Sequence, residues 1–126
     1  MIKGILITLL CGIIIGIERE LKNKNAGIKT IVFIMLASFI FTHIGLIIED
    51  RARVISQIIS GVGFIGSGVI IFNRDTVNGL TSAAIIWLSS AIGVLNCLGM
   101  LTEGLLFSIL IVGLDYGIDT LKRRFK

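Results

Sequence analysis

The sequence predicts an all-α integral membrane bundle of five transmembrane helices. Three observations predict it. The 126 residues are 55% hydrophobic and only 16% charged, with a mean hydropathy of +1.00, whereas charged residues make up about a quarter of an ordinary globular domain. The apolar residues fall into five blocks, 2–17, 31–48, 54–72, 80–101 and 104–118, divided by short polar or charged strings. Proline is absent, so no block carries a proline kink.

A spanning helix needs about 20 mostly apolar residues, which sets the expected spans at 2–20, 31–48, 53–72, 80–97 and 103–119. Helix one reaches that length by running through Glu18-Arg19-Glu20. Its Gly4, Thr8, Gly12 and Gly16 recur every fourth position, a row that lets a neighbouring backbone approach closely. Glu18 and Glu20 stand at a helix C-terminus, where the macrodipole disfavours negative charge. They are therefore expected to find partners among Arg19, Lys24, Lys29 and Arg74. In helix two, the lone His43 has no neighbouring carboxylate and reads as an ordinary bundle residue.

Helix three is the most informative span. At 100° per residue, Ile58, Val62, Ile65 and Val69 gather on one side, the expected lipid face. Arg53, Ser56, Gln57, Ser60, Gly63 and Ser67 gather opposite, flanked by Gly61 and Gly68, and are expected to face inward as a polar seam. Helix four continues it through Asn78, Ser82, Ser89, Gly93 and Asn96, with Thr81 beside them and Trp87 as a core filler. Near the end of helix five, Asp115 and Asp119 form an i, i+4 pair expected to answer Lys122 and Arg123. Gly12, Gly16, Gly61, Gly63, Gly66, Gly68 and Gly79 are the candidate packing glycines.

Basic residues cluster in 18–30, 73–79 and 119–126, leaving Lys3, Arg51 and Arg53 on the other side. By the positive-inside rule this places the N-terminus outside and the C-terminus in the cytoplasm. The net charge of +4 is thus a topology signal, not a nucleic-acid footprint, and the LKRRFK tail reads as an anchor touching anionic lipid. No cleavage of a leader is expected, since Gly16-Ile17-Glu18-Arg19 lacks a small-residue site. Cys11 and Cys97 lie within apolar blocks, which excludes a disulfide framework or a multi-cysteine metal site. Gly61-Val-Gly63-Phe-Ile-Gly66 matches the dinucleotide fingerprint in letters only, because it lies inside an apolar span rather than after a strand. There is no catalytic constellation, so no enzyme, cofactor or metal is expected.

Four motifs, GIERE at 16–20, KNAGIKT at 24–30, RVISQIISGVGFIGSG at 53–68 and VNGLTSAAIIW at 77–87, occur in order. Together they resemble the membrane domain of the MgtC/SapB family over about two thirds of the chain. Asn25 stands where that family usually has proline, Lys29 where it has arginine, and Ser82 where it has a second threonine. Lys29 keeps the charge but not the bidentate geometry of a guanidinium. The resemblance marks Glu18, Arg19, Lys24, Lys29 and Thr30 as an inner-loop motif. It implies a multi-pass bacterial inner-membrane protein linked to adaptation to low magnesium, survival in host phagocytes and virulence. Some such proteins act by binding membrane partners, the ATP synthase included. Many add a cytosolic C-terminal domain, and any activity of that domain falls outside these 126 residues.

Two functions are expected from this. The first is a non-enzymatic regulator working through helix–helix contacts, as a homo-oligomer or with other membrane proteins. The alternative is a small ion or solute transporter, with Arg53 and Gln57 at one end of its path, Glu18, Lys29 and Asn78 at the other, and helix three broken at its glycines.

Overall fold

The computed structural model describes residues 1–125, so Lys126, the last residue of the basic tail, lies outside the described residues. Five helices carry the chain: α1 Ile2–Leu21, α2 Ile28–Ile47, α3 Arg51–Ser67, α4 Leu80–Cys97 and α5 Leu101–Arg124. Of these, α2, α4 and α5 are long and apolar enough to cross a membrane. Between α3 and α4 the strands Ile71–Asn73 (β1) and Thr76–Asn78 (β2) pair antiparallel, with Phe72 opposite Val77.

The core lies where α1, α2 and α4 meet. Cys11 and Ile15 from α1, Ile31 and Met35 from α2, and Ile86 and Ile92 from α4 are buried there. Glycine permits the close approach. A Cβ at Gly16 would stand 2.5 Å from the Ile28 Cα, and one at Gly12 3.1 Å from the Val32 Cα. A Cβ at Gly93 would strike the Met35 carbonyl. Several of the polar residues buried here cost little, because their hydroxyls donate to the carbonyl four residues back. Thr8 does so to Gly4, Thr42 to Ser38 and Ser89 to Ile85, each at 2.7 Å. Across helices, Asn96 Nδ2 donates to Thr8 Oγ1 at 3.1 Å, and its Oδ1 rests against the bare Cα of Gly104. That contact joins α1, α4 and α5.

Helix three departs from expectation in three ways. It stops at Ser67 instead of continuing to residue 72. Gly66-Ser67-Gly68 weakens the helix, and the β-branched Val69-Ile70-Ile71 leads into the hairpin. Gly79 then turns the chain into α4 with φ +88°, its Cα against the Val69 carbonyl. Second, its faces are largely reversed: Ile58, Val62 and Gly66 are buried and only Ile65 of the expected lipid face stays half exposed, whereas Ser56, Gln57, Ser60, Gly63 and Ser67 are exposed. The branched side chains fill the valley between α2 and α4, and the polar side turns away from it. Third, α3 is peripheral. Trp87, expected in the core, is half exposed and donates from Nε1 to the Ile59 carbonyl at 3.3 Å. Helix five is also peripheral, burying Gly104 and Ser108.

Candidate functional site

Helix α1 ends where α4 begins and α5 ends, and the charges of all three meet there. Arg19 is fully buried. Its Nη2 donates to Ser82 Oγ on α4 at 2.8 Å, while Nη1 stands 3.5 Å from Asp115 on α5 and 3.7 Å from Glu18. Lys22 sits among three carboxylates: Glu18 at 2.8 Å, Asp115 at 2.5 Å and Asp119 at 2.7 Å. Its ammonium also lies 4.4 Å from the centre of the Tyr116 ring. Burial alone would lower the Lys22 pKa, but hydrogen bonds to Asp115 and Asp119 and the close ion pair with Glu18 outweigh it. They hold the ammonium above the ordinary lysine range.

The cluster is incompletely satisfied. Arg19 Nε is buried without a hydrogen-bond partner. Glu18 Oε1 lies close to Lys22 Nζ, yet neither Glu18 oxygen has a well-directed hydrogen bond. The ion pair supplies charge balance there without good directionality.

The inner-loop motif divides between this cluster and its surroundings. Glu20 accepts from the Ile28 backbone N–H at 3.1 Å, at the start of α2, where the helix dipole favours a carboxylate. A Cβ on Gly27 would collide with that carboxylate. Lys29 is exposed and Thr30 half-buried. Lys24 joins Asn23 and Asn25 along an open polar pocket of about 410 Å³, whose far wall includes Asn78, Thr81 and Ser82. Two motifs far apart in sequence are thus brought face to face.

The expected seam is split. Ser82 belongs to the buried cluster and Asn78 and Thr81 to the polar pocket. Arg53 is 73% exposed and pairs through Nε with Asp50 at 2.6 Å. Gln57 lines a separate groove between α2 and α3. Ser60 and Ser67 donate to the carbonyls of Ser56 and Phe64. Among the candidate glycines, Gly12, Gly16, Gly66 and Gly79 meet other segments, Gly68 meets its own helix at the Ile65 carbonyl, and a Cβ at Gly61 or Gly63 would meet nothing within 4 Å.

Asp115 and Asp119 bond Lys22 across the bundle, not the expected Lys122 and Arg123. In the sequence, Lys22 counted only among the basic residues of 18–30, with no partner expected for it. The signal was present: Glu18 and Lys22 are four apart on one helix, the spacing of an ion pair. Two aspartates within an apolar helix also demand a counter-charge from a neighbour.

A helical bundle with three membrane-length apolar helices and its buried charges neutralised at one end belongs to the class of integral membrane proteins. Within that class, the chain belongs to the MgtC family, whose family model matches residues 5–124. It is 40% identical over 109 residues to the protein SapB of Bacillus subtilis, covering 77% of this chain and 47% of that protein. It is 37% identical over 113 residues to the protein MgtC of Salmonella typhimurium, covering 88% and 49%. A third relative, named putative magnesium transporter YhiD of Escherichia coli, is 37% identical over 123 residues, covering 86% and 55%. The chain spans about half the length of the curated relatives it matches. No solved structure matches it.

Proposed function

We propose that the protein is a non-enzymatic regulator in the bacterial inner membrane, serving adaptation to low magnesium and to virulence-type stress. It works by helix–helix contact with a second copy of itself or with another membrane protein. All five helices span the bilayer, with the N-terminus outside and the C-terminus in the cytoplasm; α3, at 17 residues, is at the short end of the spanning range of about 17–25.

The observation that carries this reading is the outward stripe Ser56, Ser60, Gly63 and Ser67 on α3. Small residues at helical spacing permit close approach of another helix, and lipid gains little from contacting them. In a chain with Cys11 and Cys97 replaced by alanine, Gly63→Cys is expected to cross-link between copies or to a partner in native membranes. Gly63→Leu is expected to keep the fold, since nothing lies within 4 Å of its Cβ, and to lose the association. Wild-type oligomer size for Gly63→Leu in detergent, with no cross-link from Gly63→Cys, rejects the contact model.

The transporter reading is favoured by the buried charge cluster and by the name of the relative YhiD. Against it, Lys22 already neutralises the carboxylates a cation would use. Purified protein in liposomes separates the two: magnesium or other ion flux abolished by Arg53→Ala or Asp115→Asn rejects the regulator-only reading.

A further inference from the structure

Between α2 and α3 runs an open groove of about 710 Å³, a volume within the range of small-molecule sites. Phe33 and Phe41 line it from α2, and Ile58 and Val62 from α3. Along α3 the lining extends from Arg53 to Ile65, about 18 Å of helix. Apart from Ser38 on the floor, its polar side chains are Arg53 and Gln57, which stand together at one end. A long apolar trough with a polar head end has the form of an amphiphile.

We infer that this groove holds one phospholipid, with an acyl chain along the α2–α3 trough and its phosphate on Arg53 and Gln57. Charge supports that orientation. The Arg53 Nε–H is taken by Asp50, but among the described residues no other group takes its Nη groups, and a guanidinium binds phosphate oxygens through such N–H pairs. Gln57 adds an amide donor one turn along. The wall also distinguishes lipid from a packed helix. Close helix packing favours small residues, whereas most of this wall is phenylalanine and branched aliphatic side chains that suit a flexible chain, with Ala37, Ser38 and Gly61 the small exceptions.

The test is native mass spectrometry of the full chain, delipidated in detergent and offered phosphatidylglycerol, phosphatidylethanolamine or diacylglycerol with the same acyl chains. One phospholipid per chain is expected to survive gentle activation, with diacylglycerol bound at least about tenfold more weakly, as loss of charge-assisted bonds requires. Arg53→Gln, at an exposed site, is expected to abolish that preference. Gly61→Phe projects a ring from a groove-lining position where a Cβ meets nothing within 4 Å, and is expected to reduce all binding. Equal retention of diacylglycerol by the wild type overturns the phosphate assignment. Wild-type retention by both variants means annular lipid only and overturns the site. Loss of lipid in Gly63→Leu together with loss of association places the lipid between copies and also overturns it.

Discussion

Lys22→Met keeps most of the length of the side chain and deletes the charge that joins α1 to α5. The ammonium bonds three carboxylates within 2.8 Å. Two are well shielded, Glu18 at 3% and Asp115 at 14% exposure, while Asp119 at 42% contributes little once solvent screening is counted. Removing one partner of a buried pair costs about 3–5 kcal/mol, because the abandoned charge stays buried. Arg19, 3.5 Å from Asp115, remains to offset part of this, so the low end, about 3 kcal/mol, is expected. For a chain of this size that lowers the melting temperature by roughly 10 °C. Thermal unfolding of the purified protein in detergent measures it, and a Lys22→Met/Glu18→Gln double variant, which leaves Asp115 beside the buried Arg19, should recover part of the loss. The pH dependence has a definite sign. A lysine whose pKa is raised in the folded state stabilises fully below its unfolded value of about 10.4, and the effect is lost only as pH rises through the still higher folded value. The titration of Lys22 itself should therefore leave its contribution unchanged up to about pH 9. A Lys22→Met melting temperature within about 2 °C of wild type would refute the claim that the cluster joins α1 to α5.

Four glycine substitutions probe the rest of the fold. Gly93→Ala drives a methyl group onto the Met35 carbonyl and is expected to cost about 2 kcal/mol, read as a lowered melting temperature, while Gly61→Ala is expected to be neutral or slightly stabilising. Gly104→Ala displaces the Asn96 amide from its place beside Thr8. It should destabilise by about 1 kcal/mol and increase proteolysis or cysteine labelling along α5 before the other helices loosen. Gly79→Ala places a side chain at φ +88° against the Val69 carbonyl. It should cost more than about 1 kcal/mol, with altered protease access to the 68–79 segment as the local readout.

Much of the architecture was legible in the sequence. Five apolar blocks became five helices, and the every-fourth-residue row on α1 became the line where Gly12 and Gly16 admit α2. The end of α3 was partly written in Gly66-Ser67-Gly68, although hydropathy alone carried the block through the β-branched residues after it. Its polarity was not legible. A helical projection gives the angle between Ile58 and Ser56 but not which of them points inward. Hydrophobicity does not decide the matter in a bilayer, where lipid and protein interior are both apolar. The partners of Asp115 and Asp119 were equally hidden, because Lys122 and Arg123 were near in sequence while Lys22 was near only in space.

By itself, then, the sequence determined the class of the protein, the number of its helices and which residues are small enough for close packing. These are properties of composition and of local period, and they survive any arrangement of the helices. Only the tertiary structure decided that α2 and α4 are central, that the polar side of α3 faces outward, and that Arg19 and Lys22 spend their charge on α4 and α5. Those outcomes depend on which neighbour each face meets, and that is set by the joint packing of all five helices.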